Sequence, residues 1–523
     1  MKTKVVAFLT AMVLVTVMLA GCGTSTETER LYDDQLTYWV DLNSNITMTA
    51  SGMGDIPFAK ELQDRLSIDI DFLHPPSGQG SGEEKFNIMM AMGELPDIIE
   101  YRWATGYLGG PGKAIADGKL LDLSEYLDKM PNFKNYVENV ASEEVLKLIK
   151  TDEGQIFGVP FVRGDESLQV SAGLIIRQDW LDELGLDVPE TLDDWEVMLR
   201  AFKDEKGATA PLTMQAWVLN WGLFAGAYGV TQVDSGYIEN GTVKYGAVQP
   251  GFKSALERLN KWYDEGLLDN DMAALNGQII ETNILTGVSG VMVGSIGSGI
   301  GKLTTAARAE GDMTFKLAAA PVPVLNKGDK PQFGHYNLPV PEDFCVITKD
   351  SKNIDAALRL LDYGFSEEGH MLYNFGIENE SYTMVGGYPT YTEYITENPD
   401  GLSMTAAMAR YMRSYSTGPF VQDVRYMEQY GALPEQKDAL KVWSNTDAYK
   451  YAMPYLYIDS ENASQLARVQ NSIRTYEDEF TVKFIMGVEP IDNFDNFVSE
   501  INKRGLSDFL RIKQEAYDRY MQR

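Results

Sequence analysis

The alternation of strand-like and helix-like segments near the N-terminus is the feature that most restricts the fold of this chain. Residues 36–40 (LTYWV) are rich in aromatic and β-branched side chains, and residues 68–72 (IDIDF) alternate between apolar and acidic, so both predict strands. The apolar side chains of residues 58–66 and 86–92 are spaced as on one face of a helix, and an apolar pair follows at 98–99. This order predicts a parallel, doubly wound α/β sheet.

Length and composition exclude several classes of protein. The chain has 523 residues, too many for one ordinary hydrophobic core, which predicts two or more lobes. Hydrophobic residues make up 44% of it, which excludes an intrinsically disordered or fibrous protein. The formal net charge of −31 argues against nucleic acid as a partner, because phosphates would be repelled. Two cysteines and three histidines argue against a disulfide framework, a four-cysteine zinc site and a histidine-rich metal site, and we predict no metal site and no cofactor.

The N-terminus has the features of a secretory signal peptide. Lys2 and Lys4 precede an apolar run over residues 5–19, which is short for a membrane span. Residues 19–22 (LAGC) are similar to the bacterial lipobox, a resemblance that implies cleavage before Cys22 and a lipid on its sulfur. We therefore predict a signal peptide over residues 1–21, a tether over 22–32 and a protein anchored at the extracellular face of the cell membrane. Simple secretion with an incidental cysteine is the alternative.

Segments spread over some 480 residues resemble one family in their order along the chain. The chain is similar to the extracellular solute-binding proteins of bacterial ABC importers, family 1, of the maltose-binding type, and within it to the large LplA-like lipoproteins of Gram-positive bacteria. Each segment is weak alone, and the shared order carries the resemblance. The matching segments are 93–98 (GELPDI), 177–186 (RQDWLDELGL), 189–195 (PETLDDW), 263–269 (YDEGLLD), 376–382 (GIENESY), 387–390 (GYPT), 483–487 (KFIMG) and 516–520 (AYDRY).

The resemblance implies a periplasmic-binding-protein-like α/β fold, with two doubly wound lobes joined by a hinge that the chain crosses several times. Lobe 1 is predicted to comprise residues 33–160 and about 335–400, and lobe 2 about 165–330 and about 401–523. The family captures a ligand, most often an oligosaccharide, between the lobes and delivers it to permease subunits in the membrane. We expect a monomer with no nucleic-acid partner.

A sugar site needs aromatic faces for the C–H surfaces and carboxylate, amide or guanidinium groups for the hydroxyls. Loops beyond the carboxyl ends of the predicted strands, where ligands of doubly wound sheets bind, carry such side chains. Each aromatic candidate has packing in the core as its alternative reading, and Trp103 and Trp217 are the first candidates for ligand contact. Arg102, Arg163 and Lys85 would bind the carboxylate of a uronate if they line the cleft, with a solvated surface charge as the alternative reading. The candidate ligand-binding residues are Trp39, Asn43, Tyr101, Arg102, Trp103, Arg163, Gln215, Trp217, Trp221 and Tyr336.

Nothing in the sequence indicates catalysis, and we predict a binding protein with no catalytic residue. A secreted glycoside hydrolase, the rival class, needs two carboxylates placed by geometry, and the 76 Asp and Glu residues make such pairs uninformative. The sequence contains neither a G-x-S-x-G nor an H-E-x-x-H motif. A third alternative, the ligand-capturing component of a sensor system, has the same sequence features as a transport protein.

Overall fold

The computed structural model describes residues 32, 34–76, 80–231, 236–414 and 416–523. The predicted signal peptide and Cys22 therefore lie outside the described residues. The strands, in chain order, are β1 (Asp34–Trp39), β2 (Ile68–Leu73), β3 (Ile98–Tyr101), β4 (Val159–Pro160), β5 (Val162–Arg163), β6 (Ala172–Arg177), β7 (Tyr237–Glu239), β8 (Thr242–Lys244), β9 (Val291–Ser295), β10 (Leu317–Ala320), β11 (Phe344–Ile347), β12 (Tyr382–Val385), β13 (Tyr388–Tyr391) and β14 (Val421–Gln422).

Helices fill the connections between these strands and form most of the C-terminal third. The α-helices are α1 (Ser44–Thr47), α2 (Pro57–Leu66), α3 (Ser81–Met92), α4 (Trp103–Gly106), α5 (Gly110–Ala116), α6 (Pro131–Asn139), α7 (Glu143–Ile149), α8 (Gln178–Leu184), α9 (Leu192–Asp204), α10 (Pro250–Asp264), α11 (Gly277–Thr286), α12 (Lys302–Ala309), α13 (Ile354–Tyr363), α14 (Glu367–Phe375), α15 (Glu393–Thr396), α16 (Met404–Tyr411), α17 (Val424–Tyr430), α18 (Pro434–Ser444), α19 (Ser460–Ile485), α20 (Phe494–Lys503) and α21 (Leu506–Tyr520).

A five-stranded sheet in the order β2-β1-β3-β11-β4 organises the first lobe, called lobe 1. Strand β1 is parallel to β2 and β3, as the β-α-β-α-β pattern predicts. Strand β11 is antiparallel to β3 and β4, with Phe344 opposite Tyr101. The chain returns from the other lobe just before β11. Strand β11 therefore begins at the edge of the sheet where β3 ends, and the two strands run in opposite directions.

A three-stranded sheet in the order β10-β6-β9 organises lobe 2. Strand β6 is antiparallel to both neighbours, whereas the predicted doubly wound sheet would have mainly parallel pairs. The register explains the difference, since β6 begins at Ala172 opposite Ser295, the last residue of β9. Strand β6 therefore leaves the edge of the lobe at which β9 arrives.

Two large buried clusters correspond to the two sheets. One includes residues from 36–162, 340–361, 456–457 and 516–520, and the other includes residues from 168–322 and 375–512. Between them three stretches of chain lie side by side: β5 pairs with β14, and the backbone N–H of Arg163 donates to the carbonyl oxygen of Pro339 at 2.8 Å. We call these adjacent stretches the hinge. The lobe boundaries drawn from the sequence stay a prediction.

The glycine-rich segment 294–301 ends β9 and then forms a π-helical turn over Ile296–Gly301 that continues into α12. Its glycines permit close helix packing. A Cβ added at Gly297 would lie 1.9 Å from the hydroxyl oxygen of Tyr430 on α17. The side-chain amide of Gln436 on α18 donates to the carbonyl oxygen of Ile296 at 2.7 Å.

Within the described residues, no helix combines the length and the apolar character needed to cross a bilayer.

Candidate functional site

A cavity of about 340 Å³ lies where the hinge meets lobe 2. We call it the hinge cavity. Its wall is rich in aromatic rings and also carries the amides of Asn220 and Asn337, so it offers both apolar faces and hydrogen-bonding groups. The aromatic residues that line it are Trp221, Tyr237, Phe333, Tyr336, Tyr451 and Tyr455.

Trp221 is held in place by backbone geometry and by neighbouring rings. It is the last residue of a 3₁₀ helix, Ala216–Trp221, which ends at Gly222 with a φ of 66°. A Cβ on that glycine would lie 2.6 Å from the Cβ of Phe333, so glycine satisfies both the left-handed turn and the close approach. The Trp221 ring meets the ring of His335 edge to face at 4.6 Å. One side of the indole is thereby fixed, and the residue remains half-buried at the cavity wall.

Trp217 lies beside Trp221 and lines a smaller neighbouring pocket, which shares Asn220 with the hinge cavity. Its side chain is 50% exposed, and its ring contacts the Trp221 ring in a T-shaped arrangement at 5.2 Å. The Trp217 indole N–H donates to the side-chain oxygen of Gln215 at 2.9 Å, and the Gln215 amide donates to the carbonyl oxygen of Leu275 at 2.8 Å. Gln215 therefore positions Trp217 through a hydrogen bond.

Arg163 and His335 lie together at the hinge. An Nη1–H of Arg163 donates to the carbonyl oxygen of Leu338 at 2.6 Å, and Leu338 lines the hinge cavity. Burial, followed by the charge of Arg163, lowers the pKa of His335 to about 4, so the imidazole is neutral near pH 7. The backbone N–H of Ser171 donates to His335 Nδ1 at 3.4 Å, and the side-chain nitrogen of Asn337 lies 3.4 Å from His335 Nε2.

A polar edge of lobe 1 faces the same region. We call it the lobe 1 edge and define it as Asp41, Arg102, Glu342 and Asp343, which interact electrostatically with one another. Burial raises the pKa of Asp343 to about 7, and the charges of Glu100 and Glu342 add to the shift. In the described ranges no group of three or more His, Cys, Asp or Glu side chains is arranged to hold a metal ion.

Tyr455 connects the lobe 1 edge with the hinge cavity. Its ring lines the cavity, and its hydroxyl lies against the backbone N–H of Glu342. The pKa of this hydroxyl is raised by burial and by the charge of Glu342, so the phenol stays protonated at physiological pH. The aromatic wall and the polar edge are therefore parts of one continuous surface.

The structure brings several predicted site residues together on this surface. Tyr336 and Trp221 line the hinge cavity, Arg163 lies beside it, and Trp217, positioned by Gln215, contacts Trp221 at the neighbouring pocket. In lobe 1, Arg102 lies at the edge. Asn43 is half-buried after β1, and its side-chain oxygen accepts the backbone N–H of Asn45 at 2.9 Å as the N-cap of α1.

The structure corrects the placement of three aromatic candidates. Trp103 is 0% exposed, and its indole N–H donates to the carbonyl oxygen of Ile99 at 3.2 Å. Trp39 is 2% exposed and contacts Tyr101, which in turn stacks on Phe86 with ring centroids 4.1 Å apart. All three rings pack beneath α3 in the core of lobe 1. Trp103 follows the end of β3, and its side chain points into the core. A position after a strand end does not by itself determine whether a side chain points into the core or towards a ligand.

Two further residues of the site were missed in the sequence. Tyr455 lies in residues 451–457 (YAMPYLY), a Tyr-rich stretch around a proline with no helical or strand period, which is a signal for an ordered extended segment. Asp343 comes shortly after residues 338–341 (LPVP), an extended stretch where the chain returns from lobe 2. Its sequence context gives no signal, and it becomes a candidate only because the fold places it beside Asp41, Arg102 and Glu342.

Substitution of Asp343 by Asn is expected to stabilise the protein at alkaline pH. The folded pKa of about 7 exceeds the ordinary value of 3.8, so the folded state keeps a proton that the unfolded chain releases, and stability falls as pH rises between about 4 and 7. Asn carries no such charge. Urea unfolding at pH 8 should show a gain of about 1–2 kcal/mol after allowance for solvent screening, with little gain at pH 4. An equal difference at both pH values would contradict the raised pKa.

Sequence comparison identifies a family and relatives that span nearly the whole chain. The family model described as bacterial extracellular solute-binding protein matches residues 60–371. Lipoprotein LipO of Bacillus subtilis is 25% identical, over 97% of this chain and 97% of its own length. The fructooligosaccharide ABC transporter substrate-binding protein FusA of Streptococcus pneumoniae is 23% identical, over 88% of this chain and 86% of its own length.

Structural comparison confirms the predicted fold class. The HMO binding ABC-transporter associated solute binding protein from Bifidobacterium longum infantis matches with a TM-score of 0.76 at 21% identity. The match covers 93% of this chain and 99% of that protein. At this level of identity the likeness shows the periplasmic-binding-protein fold alone.

Proposed function

Since the chain belongs to the family of bacterial extracellular solute-binding proteins, we propose that it captures an oligosaccharide in the hinge cavity and delivers it to the permease of an ABC transporter. The observation that carries this proposal is the lining of the hinge cavity, which combines five or more aromatic rings with two amides at the junction of the lobes. The name of FusA, a fructooligosaccharide-binding protein of a transporter, supports the choice of a sugar.

In this proposal each chemical feature of a sugar has a matching group. The C–H faces pack on Trp221 and Tyr336, because aromatic rings cover apolar surface without competing for hydroxyls. The hydroxyls bond to Asn337, to the phenol of Tyr455 and to Arg102 at the lobe 1 edge. The lobes close by rotation about the hinge, which brings the lobe 1 edge against the ligand and excludes water.

The protein is proposed to bind its ligand without converting it. Isothermal titration of the chain from residue 23 onward against a panel of neutral and acidic trisaccharides should give saturable binding of at least one of them. Chromatography of the same mixtures after prolonged incubation should recover the sugar intact. Cleaved products would contradict a binding protein and favour a glycoside hydrolase, and absence of binding to every sugar would contradict the choice of ligand.

We propose that Cys22 carries a lipid that holds a monomeric protein at the outer face of the membrane. The lipobox-like residues 19–22 support this anchor, and the name of the relative LipO, a lipoprotein, agrees with it. Cys22→Ala is expected to release the protein into the medium and to abolish incorporation of radiolabelled palmitate. Cys345→Ala is the matched control, because Cys345 is a buried thiol in β11. Retention of the Cys22→Ala protein in the membrane fraction would exclude the anchor.

A further inference from the structure

Arg163 is a cation without a carboxylate partner in the part of the chain that the structure describes. No described Asp or Glu oxygen lies within 4.0 Å of its guanidinium, and its side-chain hydrogen bond goes to the neutral carbonyl oxygen of Leu338. The buried Arg413 differs sharply, because its two Nη atoms bind both oxygens of Glu100 at 3.1 and 2.8 Å. A poorly solvated charge is unfavourable unless it is paired.

The groups around Arg163 are neutral at physiological pH. Its electrostatic neighbours are the phenols of Tyr336, Tyr426 and Tyr455, whose pKa values are all raised by burial. His335 is neutral as well, because burial and the arginine lower its pKa. Burial lowers the pKa of Arg163 itself, and the guanidinium lies over the Phe161 ring at 5.7 Å, a contact that carries no negative charge. Since Leu338, Tyr336 and Tyr455 line the hinge cavity, the charge lies directly behind residues of the cavity wall.

From this arrangement we infer that the protein selects an oligosaccharide that carries a carboxylate at the sugar residue next to Arg163, namely a uronate. The guanidinium keeps Nε and Nη2 donors that bond no described protein group, and these two donors match the two oxygens of a carboxylate. A neutral hydroxyl would use the donors and leave the charge uncompensated. The inference rests on the proposed function and names the class of its ligand.

The other end of the site restricts the ligand to few charges. The lobe 1 edge carries Asp41, Glu342 and Asp343 against the single cation Arg102, so a second carboxylate placed there would be repelled. Tyr455 interacts electrostatically both with Arg163 at the hinge and with Glu342 and Asp343 at the lobe 1 edge, so it lies between the basic and the acidic end of the site. The selected ligand is therefore acidic at the hinge and neutral at the lobe 1 edge, rather than a polyuronate.

The test uses pairs of sugars that differ in one carboxylate. Maltotriose and α-1,4-galactotriose are titrated beside the same trisaccharides with one terminal uronate, and trigalacturonate is added as the fully acidic probe. The mono-uronate form should bind at least about 30-fold more tightly than its neutral partner, and trigalacturonate should bind more weakly than the galactose-based mono-uronate. Arg163→Gln should reduce the acid-to-neutral ratio towards one, with Arg163→Lys between them because lysine lacks the planar fork.

The ratio of affinities is the readout, so a general loss of binding in a variant does not affect it. Arg200→Gln is the matched control, since Arg200 is a surface residue of α9 paired with Glu196 and Glu265, and its ratio should equal that of the wild type. Equal binding of acidic and neutral sugars by the wild type would overturn the inference and leave the proposed function intact. Absence of binding by every sugar would overturn both.

Discussion

Arg413→Met is expected to lower the free energy of unfolding by about 3–5 kcal/mol, because it leaves a buried carboxylate without its cation. Glu100 ends in the core of lobe 1, where its oxygens accept from both Nη atoms of Arg413, from the Tyr38 hydroxyl at 2.8 Å and from the Thr417 hydroxyl at 2.7 Å. Both members of the ion pair are less than a tenth exposed. Urea unfolding of the two proteins at pH 7 measures the difference.

Two further variants separate the charge from the packing. Glu100→Gln combined with Arg413→Met removes both charges and should recover part of the lost stability. Lys129→Met breaks the pair with Asp355, whose two side chains are 57% and 72% exposed, and should cost less than about 1 kcal/mol. A loss below 1 kcal/mol for Arg413→Met alone would mean that the hydrogen bonds from Arg413 and Thr417 to Glu100 do not stabilise the core of lobe 1.

Trp221→Ala is expected to weaken oligosaccharide binding about 100-fold, the largest effect on affinity that we predict for one side chain. The indole forms a fixed wall of the hinge cavity, so its removal deletes both the stacking face and the ring contact that supports Trp217. Losses of 2 kcal/mol or more, about 30-fold and above, are typical of a central aromatic residue in an interface. Calorimetry with the tightest-binding trisaccharide measures the change.

Trp221→Phe is the matched control for this variant. Phenylalanine keeps an apolar face in the same place, so the loss should stay within about tenfold. Thermal unfolding of both variants checks that the fold is retained. A Trp221→Ala protein that folds and binds as tightly as the wild type would exclude the hinge cavity as the ligand site.

Local patterns were enough to predict the first elements of the fold. The helix expected at 58–66 is α2 within one residue, and the strand expected at 36–40 is β1 within two residues. The alternation of residues 68–72 identified β2 because one face of that strand is buried and the other is exposed. The helical turn over residues 296–301 has no such local signal, since it depends on Tyr430 and Gln436, which approach from more than a hundred residues away.

Several residues of the proposed site were candidates in the sequence, whereas others were not. Strand ends and crossings led to Arg102, Arg163, Trp221 and Tyr336, because the topology brings those points together. The prediction that Trp103 contacts the ligand was wrong. The sequence around Trp103 shows only that it follows a strand, whereas its contact with Phe86 of α3 places the ring in the core. Arg413 is paired with Glu100, which lies more than three hundred residues earlier in the chain, whereas Arg163 has no described carboxylate beside it. Neither fact is visible in the residues next to each arginine, so the difference between Arg413 and Arg163 needed the structure.

A crystal structure of the chain with its tightest-binding trisaccharide tests the central claim most directly. We predict that the sugar lies in the hinge cavity, with a ring on Trp221, hydroxyls near Tyr455 and the lobe 1 edge, and its carboxylate against Arg163. A second cavity, of about 580 Å³, is lined by residues that include Lys113, Tyr457 and Arg519 and offers an alternative place. A sugar bound there, with the hinge cavity empty, would contradict capture between the lobes.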